Sequence, residues 1–171
     1  MSARPPGALV FTDIVGFTQF TEECGDDRAV EVLERQDEIV RAHLPAGARI
    51  VKELGDGLFL WFDDACAAIT TCLALQDAFS VEASRDLPLW VRMGGHWGTP
   101  RRRGDDFIGH DVNLTARIAS VAGAGELVAS EPLVDVAKSG VTGVAYYELG
   151  PVFVRGVTAP VRLFRVAGVR T

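Results

Sequence analysis

Two aspartates occupy positions at which a carboxylate could bind a metal ion. Asp13 interrupts an apolar stretch near the end of a predicted strand, and Asp56 lies at the tip of a predicted hairpin, between Gly55 and Gly57. A charge inside a strand is costly unless something pairs with it. If that strand lies beside the hairpin, both carboxylates reach one edge of the sheet, where they could hold two Mg²⁺ or Mn²⁺ ions. Taken singly, Asp56 is also an ordinary turn residue and Asp13 an ordinary cap.

Three segments that contain or neighbour these aspartates resemble one known family. Residues 11–18 read Phe-Thr-Asp-Ile-Val-Gly-Phe-Thr, and residues 52–59 read Lys-Glu-Leu-Gly-Asp-Gly-Leu-Phe. Both segments are similar to motifs of the class III adenylyl and guanylyl cyclases. Residues 106–117 resemble a third motif of that family, and the resemblance extends over about residues 8–166.

The first two motifs imply a metal site and part of a base-recognition site. By resemblance, Asp13 and Asp56 bind the two divalent cations, and the main-chain carbonyl of Ile14 adds a ligand. Lys52 and Asp106 fall on the positions that specify adenine. A lysine beside an aspartate complements adenine, which offers an acceptor at N1 and a donor at its 6-amino group, and it opposes guanine, whose polarity is reversed. Guanylyl cyclases typically have glutamate and cysteine at these positions.

Asn113 and Arg117 are four residues apart in a predicted helix and therefore share one face. In isolation such a pair is usually an ordinary polar pair on a surface. The resemblance implies that Asn113 orients the ribose and that Arg117 stabilises charge on the α-phosphate, a role that suits the planar guanidinium. Arg155 falls where relatives commonly have a lysine that contacts the terminal phosphates; an exposed strand arginine is the alternative.

The sequence also departs from the family pattern. Some relatives have a phosphate-binding arginine at the position of Thr99, and the candidates to replace it here are Arg101, Arg102 and Arg103. The segment that holds them is shorter than in mammalian relatives, where it helps to form a dimerisation arm. Asp105 precedes the proposed base-reading acid, but the spacing to the asparagine and the arginine of the motif favours the second of the two aspartates.

Hydrophobic periodicity and turn residues predict the elements that must position these side chains. The order is strand, helix, hairpin, helix, strand, and then a further helix and strands, which indicates an α+β fold with one mixed or antiparallel sheet and helices on one face. The resemblance implies the ferredoxin-like, palm-like form of this fold. The predicted ranges are strands over 8–14, 49–54, 58–62, 89–97 and 126–129, helices over 26–43, from Asp63 or Asp64 to 79, over 112–121 and after Ser130, an irregular segment over 98–106, and two or three strands from 144.

Composition restricts the classes of function. The chain has 171 residues and a net charge of −6, so it fits one domain and lacks the basic character of a nucleic-acid-binding protein. The longest strongly apolar run, residues 58–62, is far too short to cross a bilayer, and no secretory signal is evident. We therefore expect a cytoplasmic protein with no membrane or nucleic-acid partner, in which residues 1–7 form a flexible leader. The resemblance implies that residues 8–171 form a bacterial, stand-alone catalytic domain.

By resemblance, the chain is an adenylyl cyclase that converts ATP into cyclic AMP. The family assembles as head-to-tail homodimers, in which one protomer supplies the metal-binding aspartates and its partner supplies the base-reading and phosphate-binding residues. Two alternatives stay open at this point. A guanylyl cyclase is disfavoured by Lys52 and Asp106, and a catalytically silent nucleotide-binding module is disfavoured because the metal and phosphate positions are intact.

Overall fold

The computed structural model describes residues 4–169. Residues 1–3 of the expected leader and residues 170–171 of the expected catalytic domain lie outside the described residues. The strands are β1 (Gly7–Ile14), β2 (Ala48–Leu54), β3 (Gly57–Phe62), β4 (Val91–Gly98), β5 (Arg101–Arg103), β6 (Asp106–Ile108), β7 (Leu127–Ser130), β8 (Val144–Val152) and β9 (Val161–Gly168). The helices are α1 (Phe17–Cys24), α2 (Asp26–His43), α3 (Ala65–Ala83), α4 (His110–Val121) and α5 (Glu131–Ala137).

Seven strands form one sheet in the order β2-β3-β1-β4-β7-β9-β8, and β5 pairs with β6 as a separate hairpin. The neighbours are antiparallel except β4 and β7, which are parallel. The first half therefore has the β-α-β-β-α-β order of a ferredoxin-like unit, with β1 hydrogen-bonded on both sides. The predicted α+β architecture with a mixed sheet and helices is confirmed.

Strand β1 is buried on both faces. Ala8, Val10 and Ile14 belong to the core beneath α2, α3 and α5. Leu9 and Phe11 point to the opposite face and pack in a second cluster that includes residues of α4 and β6. The expectation that all helices lie on one face is therefore wrong for α4, because alternating apolar side chains on both faces of a central strand require cover on both.

Two elements were not predicted because they bury little. Helix α1 has eight residues, and its apolar side chains Phe17 and Phe20 are only partly buried, so the apolar period extends over too few residues to reveal the helix in the sequence. The segment predicted as irregular contains the β5-β6 hairpin, whose first strand consists of three exposed arginines. Residues 150 and 151 also do not end a strand, because β8 continues through them with a register shift. Within residues 4–169, no helix is both long and apolar enough to cross a membrane.

Helix α4 lies so close to the sheet that the contact excludes a side chain. A Cβ atom added to Gly94 of β4 would lie 2.2 Å from the backbone nitrogen of Ala119. Backbone atoms cannot move aside as the end of a flexible side chain can. Gly94 therefore sets the distance between the sheet and the helix that carries Asn113 and Arg117.

We expect the substitution Gly94→Ala to lower the free energy of unfolding by about 2–3 kcal/mol, because the new methyl group overpacks a contact between backbones. Urea denaturation followed by circular dichroism measures this change. Gly168→Ala is the matched control, since a Cβ atom there meets nothing within 4 Å. Equal stability of the two variants would contradict this account of the helix–sheet contact.

Candidate active site

The two aspartates predicted to bind metal lie at the same end of neighbouring strands. Asp13 is the penultimate residue of β1, and Asp56 is in the two-residue turn between β2 and β3, which Leu54 and Gly57 close. Gly55 begins that turn with a φ of 64°, a conformation that favours glycine. Because β3 pairs with β1, the turn comes to rest beside the end of β1. The structure thus brings Asp13 and Asp56 together as the sequence predicted.

Burial and the neighbouring Asp13 carboxyl change the acidity of Asp56. The pKa of Asp56 is raised to about 6, first by burial and then by the Asp13 carboxyl, which shares a hydrogen bond with Asp56 and repels its negative charge. The main-chain N–H groups of Asp56 and Ile14 act in the opposite direction, because they stabilise the charged form. A divalent cation between the two carboxylates would relieve this repulsion.

Arg92 is a neighbour of this pair that the sequence analysis missed. Its Nε and Nη2 atoms donate to Oδ2 of Asp13 at 3.0 and 2.7 Å. The side chains meet because Arg92 of β4 is directly opposite Asp13 of β1 in the antiparallel register. Only the strand pairing reveals the contact, since the two residues are 79 positions apart in the chain. A depression of about 460 Å³ is lined by Asp13, Asp56, Arg92, Ile14 and residues 15–19.

The donor set of this depression fits a hard divalent cation. Carboxylate oxygens and a main-chain carbonyl are ligands that Mg²⁺ and Mn²⁺ prefer, and such ions commonly keep one or two protein carboxylates and take further oxygens from water and phosphate. Across residues 4–169, histidine, cysteine, aspartate and glutamate side chains form no cluster of three or more that could hold a metal. Asp13, Asp56 and Ile14, which line one depression, offer oxygen donors of this kind.

Lys52 and Asp106 form an ion pair. Nζ of Lys52, on β2, is 2.8 Å from Oδ2 of Asp106, the first residue of β6. Lys52 lowers the pKa of Asp106, and Oδ1 of Asp106 accepts a hydrogen bond from the backbone N–H of Phe107 at 2.7 Å. The side chain of Asp105 is fully exposed, and its closest ion-pair partner is Arg102 at 3.9 Å. Asp106 is thus the acid that stands beside the lysine.

Asn113, Arg117 and Arg155 line another depression, of about 620 Å³. Asn113 and Arg117 extend from one side of α4, and Arg155 follows β8. The guanidinium of Arg117 packs against the backbone at Gly156, where an added Cβ atom would lie 3.3 Å from it. No acidic side chain of the described chain lines this depression. Two guanidinium groups without an acid nearby form a site suited to an anion.

The carboxylate depression and the guanidinium depression have no residue in common. Asp13 and Asp56 line one, and Asn113, Arg117 and Arg155 line the other. Within a single chain the predicted site residues therefore form separate groups.

The candidate replacements for the missing phosphate arginine lie on the exposed β5 strand. Arg103 is opposite Asp106 in the hairpin, and Nε of Arg102 donates to the carbonyl of Gly104 at 2.8 Å. Thr99 itself has a structural contact, because its backbone N–H donates to Oδ2 of Asp111 at 3.0 Å. That either arginine, or Arg101, takes the phosphate-binding role stays a prediction.

His96 is a structural residue that ties α4 to the sheet. Its Nδ1 is 2.7 Å from the hydroxyl of Ser130, and its Nε2 is 3.3 Å from Oδ1 of Asp111 in the first turn of α4. Burial lowers the pKa of His96, so the neutral ring is favoured, against the opposing effect of Asp111. Helix α5 begins directly after Ser130 as predicted, but the hydroxyl of Ser130 contacts the histidine and does not cap the helix.

The raised pKa of Asp56 predicts how the metal-free protein responds to pH. Between the pKa of a free aspartate, about 3.9, and the folded value of about 6, the folded state holds a proton that the unfolded state has released. The stabilisation due to that proton is therefore lost as the pH rises through the folded pKa. The substitution Asp56→Asn removes the charge and should stabilise the protein by about 1 kcal/mol near pH 7.5, since solvent screens this half-buried group.

The gain should shrink to a few tenths of a kcal/mol near pH 4, where the folded carboxyl is already protonated. Urea denaturation of both proteins in EDTA, at the two pH values, measures the difference. A gain that does not depend on pH would contradict the assignment.

Comparison with known proteins identifies the family of the chain. The family model described as the adenylate and guanylate cyclase catalytic domain matches residues 4–167. An adenylate cyclase of Streptomyces griseus is 36% identical over 114 residues, which cover 66% of this chain and 28% of that protein. A pH-sensitive adenylate cyclase of Mycobacterium tuberculosis is 29% identical over 169 residues, which cover 94% of this chain and 41% of that protein. The chain thus spans less than half the length of these curated relatives.

Solved structures of both specificities share the fold. The adenylyl cyclase CyaB from P. aeruginosa superposes with a TM-score of 0.80 at 26% identity, covering 96% of this chain and 95% of that chain. The guanylyl cyclase Cya2 superposes with a TM-score of 0.74 at 26% identity, covering 96% and 93%. Since the family model spans nearly all described residues and the fold agrees along the same length, the chain belongs to the class III adenylate and guanylate cyclase catalytic domains.

Proposed function

We propose that this cyclase domain is an adenylyl cyclase that converts ATP into 3′,5′-cyclic AMP and pyrophosphate. The observation that carries the proposal is the contact of 2.8 Å between Lys52 and Asp106, which sets a donor beside an acceptor. Adenine needs that arrangement, because its N1 accepts and its 6-amino group donates. Guanine has the opposite polarity and would leave both protein groups unsatisfied. The similarity to the adenylate cyclases of Streptomyces griseus and Mycobacterium tuberculosis supports the same choice.

In this proposal Asp13, Asp56 and the carbonyl of Ile14 hold two divalent cations, Mg²⁺ or Mn²⁺. When bound, these ions supply Lewis-acid activation of the ribose 3′-hydroxyl and neutralise charge on the triphosphate. The chain's own part is to hold two carboxylates side by side, one at the end of β1 and one in the β2-β3 turn. Arg92 holds Asp13 in place through two hydrogen bonds from its guanidinium to Oδ2 of the carboxylate.

The residues of the guanidinium depression act on the reacting groups. Asn113 orients the ribose, so that the 3′-oxygen lies in line with the α-phosphorus and the bond to pyrophosphate. Arg117 stabilises the charge that builds up on the α-phosphate, and Arg155 binds the terminal phosphates. The supporting observation is that both guanidinium groups line one depression with no acidic side chain in the described lining. The 3′-oxygen then forms the new bond as pyrophosphate leaves.

The separation of the two depressions supports a shared site. If one chain supplies Asp13 and Asp56 while a second copy supplies Lys52, Asp106 and Arg117, a head-to-tail homodimer contains two composite sites. Such a dimer has two-fold symmetry, so each contact between the two chains occurs twice and the two sites are equivalent. A single chain would then be nearly inactive.

Product analysis tests the proposed reaction. We expect the purified protein to form cyclic AMP and pyrophosphate from ATP, and little cyclic GMP from GTP, in the presence of Mn²⁺ or Mg²⁺. Asp56→Ala should reduce the rate by at least about 10²-fold, because it removes one of two carboxylates that hold the ions. Chromatography of the nucleotide products measures both rates. Cyclic GMP as the main product would refute the adenine assignment, and binding of ATP without turnover would favour a silent nucleotide-binding module.

Mixing inactive chains tests whether the site is shared. Asp13→Ala and Arg117→Ala each damage both sites of a homodimer, but a mixed dimer keeps one intact site. With random exchange, half the dimers are mixed, so we expect about a quarter of the wild-type activity. The control mixture, Asp13→Ala with Asp56→Ala, should stay inactive because both changes affect the same depression. No recovery in the first mixture would show that each chain builds its own site.

A further inference from the structure

Gln36 is a polar side chain on the apolar face of α2. It is 2% exposed, and the other buried residues of the helix are Ala29, Val32, Ile39 and Val40. Within the described residues its Oε1 atom has no hydrogen-bond partner. Burying a half-satisfied amide is unfavourable, and an apolar side chain of the same length would avoid the loss. A residue that breaks the local pattern in this way points to a task that an apolar side chain cannot perform.

The Nε2 atom of the same Gln36 amide makes the contact that explains the residue. Nε2 of Gln36 donates to the main-chain carbonyl of Asp56 at 3.2 Å, which links the middle of α2 to the β2-β3 turn. That turn has two residues, and one of them is a glycine. The glycine leaves the backbone of the turn free to adopt several conformations. The hydrogen bond from Gln36 therefore restricts where the Asp56 carboxylate can point.

A second contact holds the same turn from the side of β1. The hydroxyl oxygen of Thr12 accepts a hydrogen bond from the backbone N–H of Leu58 at 3.0 Å, and Thr12 is itself buried. Gly57 approaches the Thr12 carbonyl so closely that an added Cβ atom would lie 2.3 Å from it. The turn is thus fixed on one side by a helix and on the other by the strand that carries Asp13.

Repulsion between Asp13 and Asp56 favours movement of the turn. Neighbouring carboxylates repel each other when both are charged, and the repulsion is relieved if the turn swings away from β1. A site with separated carboxylates binds a cation less tightly, because the ion must then draw the ligands together. The anchors on the turn keep the ligands near each other before any cation arrives.

We propose that Gln36 is a positioning residue that presets the distance between Asp13 and Asp56 for cation binding, with Thr12 as its counterpart on β1. The inference rests on the proposed function in that Asp13 and Asp56 are taken as the metal ligands. It does not depend on which nucleotide is cyclised. Hydrogen-bond partners one step removed from a metal commonly change metal affinity 10–100-fold, and Gln36 acts on the backbone of a ligand residue, so we expect about three- to tenfold.

Gln36→Met is the test variant, because methionine has a similar length and lacks the amide. Three measurements on the full chain are needed: the free Mn²⁺ signal in electron paramagnetic resonance without nucleotide, hydrogen–deuterium exchange over residues 50–60, and urea denaturation. We expect half-saturation at about three- to tenfold more Mn²⁺, faster exchange in the turn, and a free energy of unfolding that is unchanged or higher. Loss of stability in proportion to the loss of binding would indicate a merely structural role and overturn the proposal.

Gln76→Met is the matched control. Gln76 of α3 also donates from its Nε2 to main-chain carbonyls, those of Val91 and Glu126, at 3.1 and 3.2 Å, but it does not touch the turn. The Gln76→Met variant should leave hydrogen–deuterium exchange over residues 50–60 unchanged. Thr12→Val should weaken Mn²⁺ binding as Gln36→Met does, whereas Thr12→Ser, which keeps the acceptor, should not.

The outcomes separate this inference from the proposed function. Wild-type protein that makes cyclic AMP, together with a Gln36→Met variant of unchanged Mn²⁺ affinity and turn exchange, would overturn the positioning role and leave the cyclase assignment intact. Wild-type protein that binds Mn²⁺ through Asp13 and Asp56 without making a cyclic nucleotide would refute the enzyme, and the role of Gln36 would still be decided by the shift in affinity. If the wild-type protein takes up no Mn²⁺, the positioning role is overturned with the metal site.

Discussion

The antiparallel pairing of β1 with β3 is the constraint on which the candidate site depends. Thr12 lies opposite Leu58, so the turn that follows β2 ends beside Asp13. The stacked rings of Phe11 and Phe59, with centroids 4.4 Å apart, stabilise this register. A shift by one residue would turn Asp13 toward the apolar core beneath α2 and α3 and would separate it from Asp56. Burial of β1 on both faces therefore protects the chemistry as well as the fold, since neither face tolerates the exchanged side chains.

Separation of opposite charges is the second organising feature. The chain carries a net charge of −6, yet the groups suited to phosphate stand apart from the carboxylates suited to cations. If Arg117 were beside Asp13 in the same chain, the carboxylate would occupy its guanidinium and leave it less available to a phosphate. Arg92 is the exception to this separation, because it pairs with Oδ2 of Asp13 at 2.7 Å and lines the same depression.

The sequence predicted the elements whose side chains alternate or repeat strongly. Helix α2 was predicted over the residues where it is found, and β1 and β3 differ by one residue at their starts. Helix α1 and the β5-β6 hairpin were missed, because propensity and burial give little signal in exposed segments. The face on which α4 packs could not be read from the order of elements, since it depends on how tightly a helix can approach Gly94.

The site was predictable to the extent that its residues belong to local motifs. Asp13 with Asp56, and Lys52 with Asp106, meet as expected, although their catalytic roles stay predictions. Arg92 and Gln36 were not found, because their contacts depend on strand register and on a helix that passes over a turn. Neither the strand register nor the position of the helix over the turn can be read from a single sequence. Residues that hold other residues in place are for this reason harder to infer than residues that meet a ligand.

The ion pair between Lys52 and Asp106 has a consequence for selectivity. These two side chains satisfy each other, so if they read the base as proposed, an arriving base competes with a partner that is already there. The pair is more than a third exposed on both sides, so its own strength is modest, within about 1 kcal/mol. A base of matching polarity replaces the broken ion pair with its own hydrogen bonds to Lys52 and Asp106. A base of the wrong polarity breaks the ion pair and forms no hydrogen bonds to replace it. The ion pair would thus disfavour binding of compounds whose hydrogen bonds to Lys52 and Asp106 are weaker than the ion pair itself.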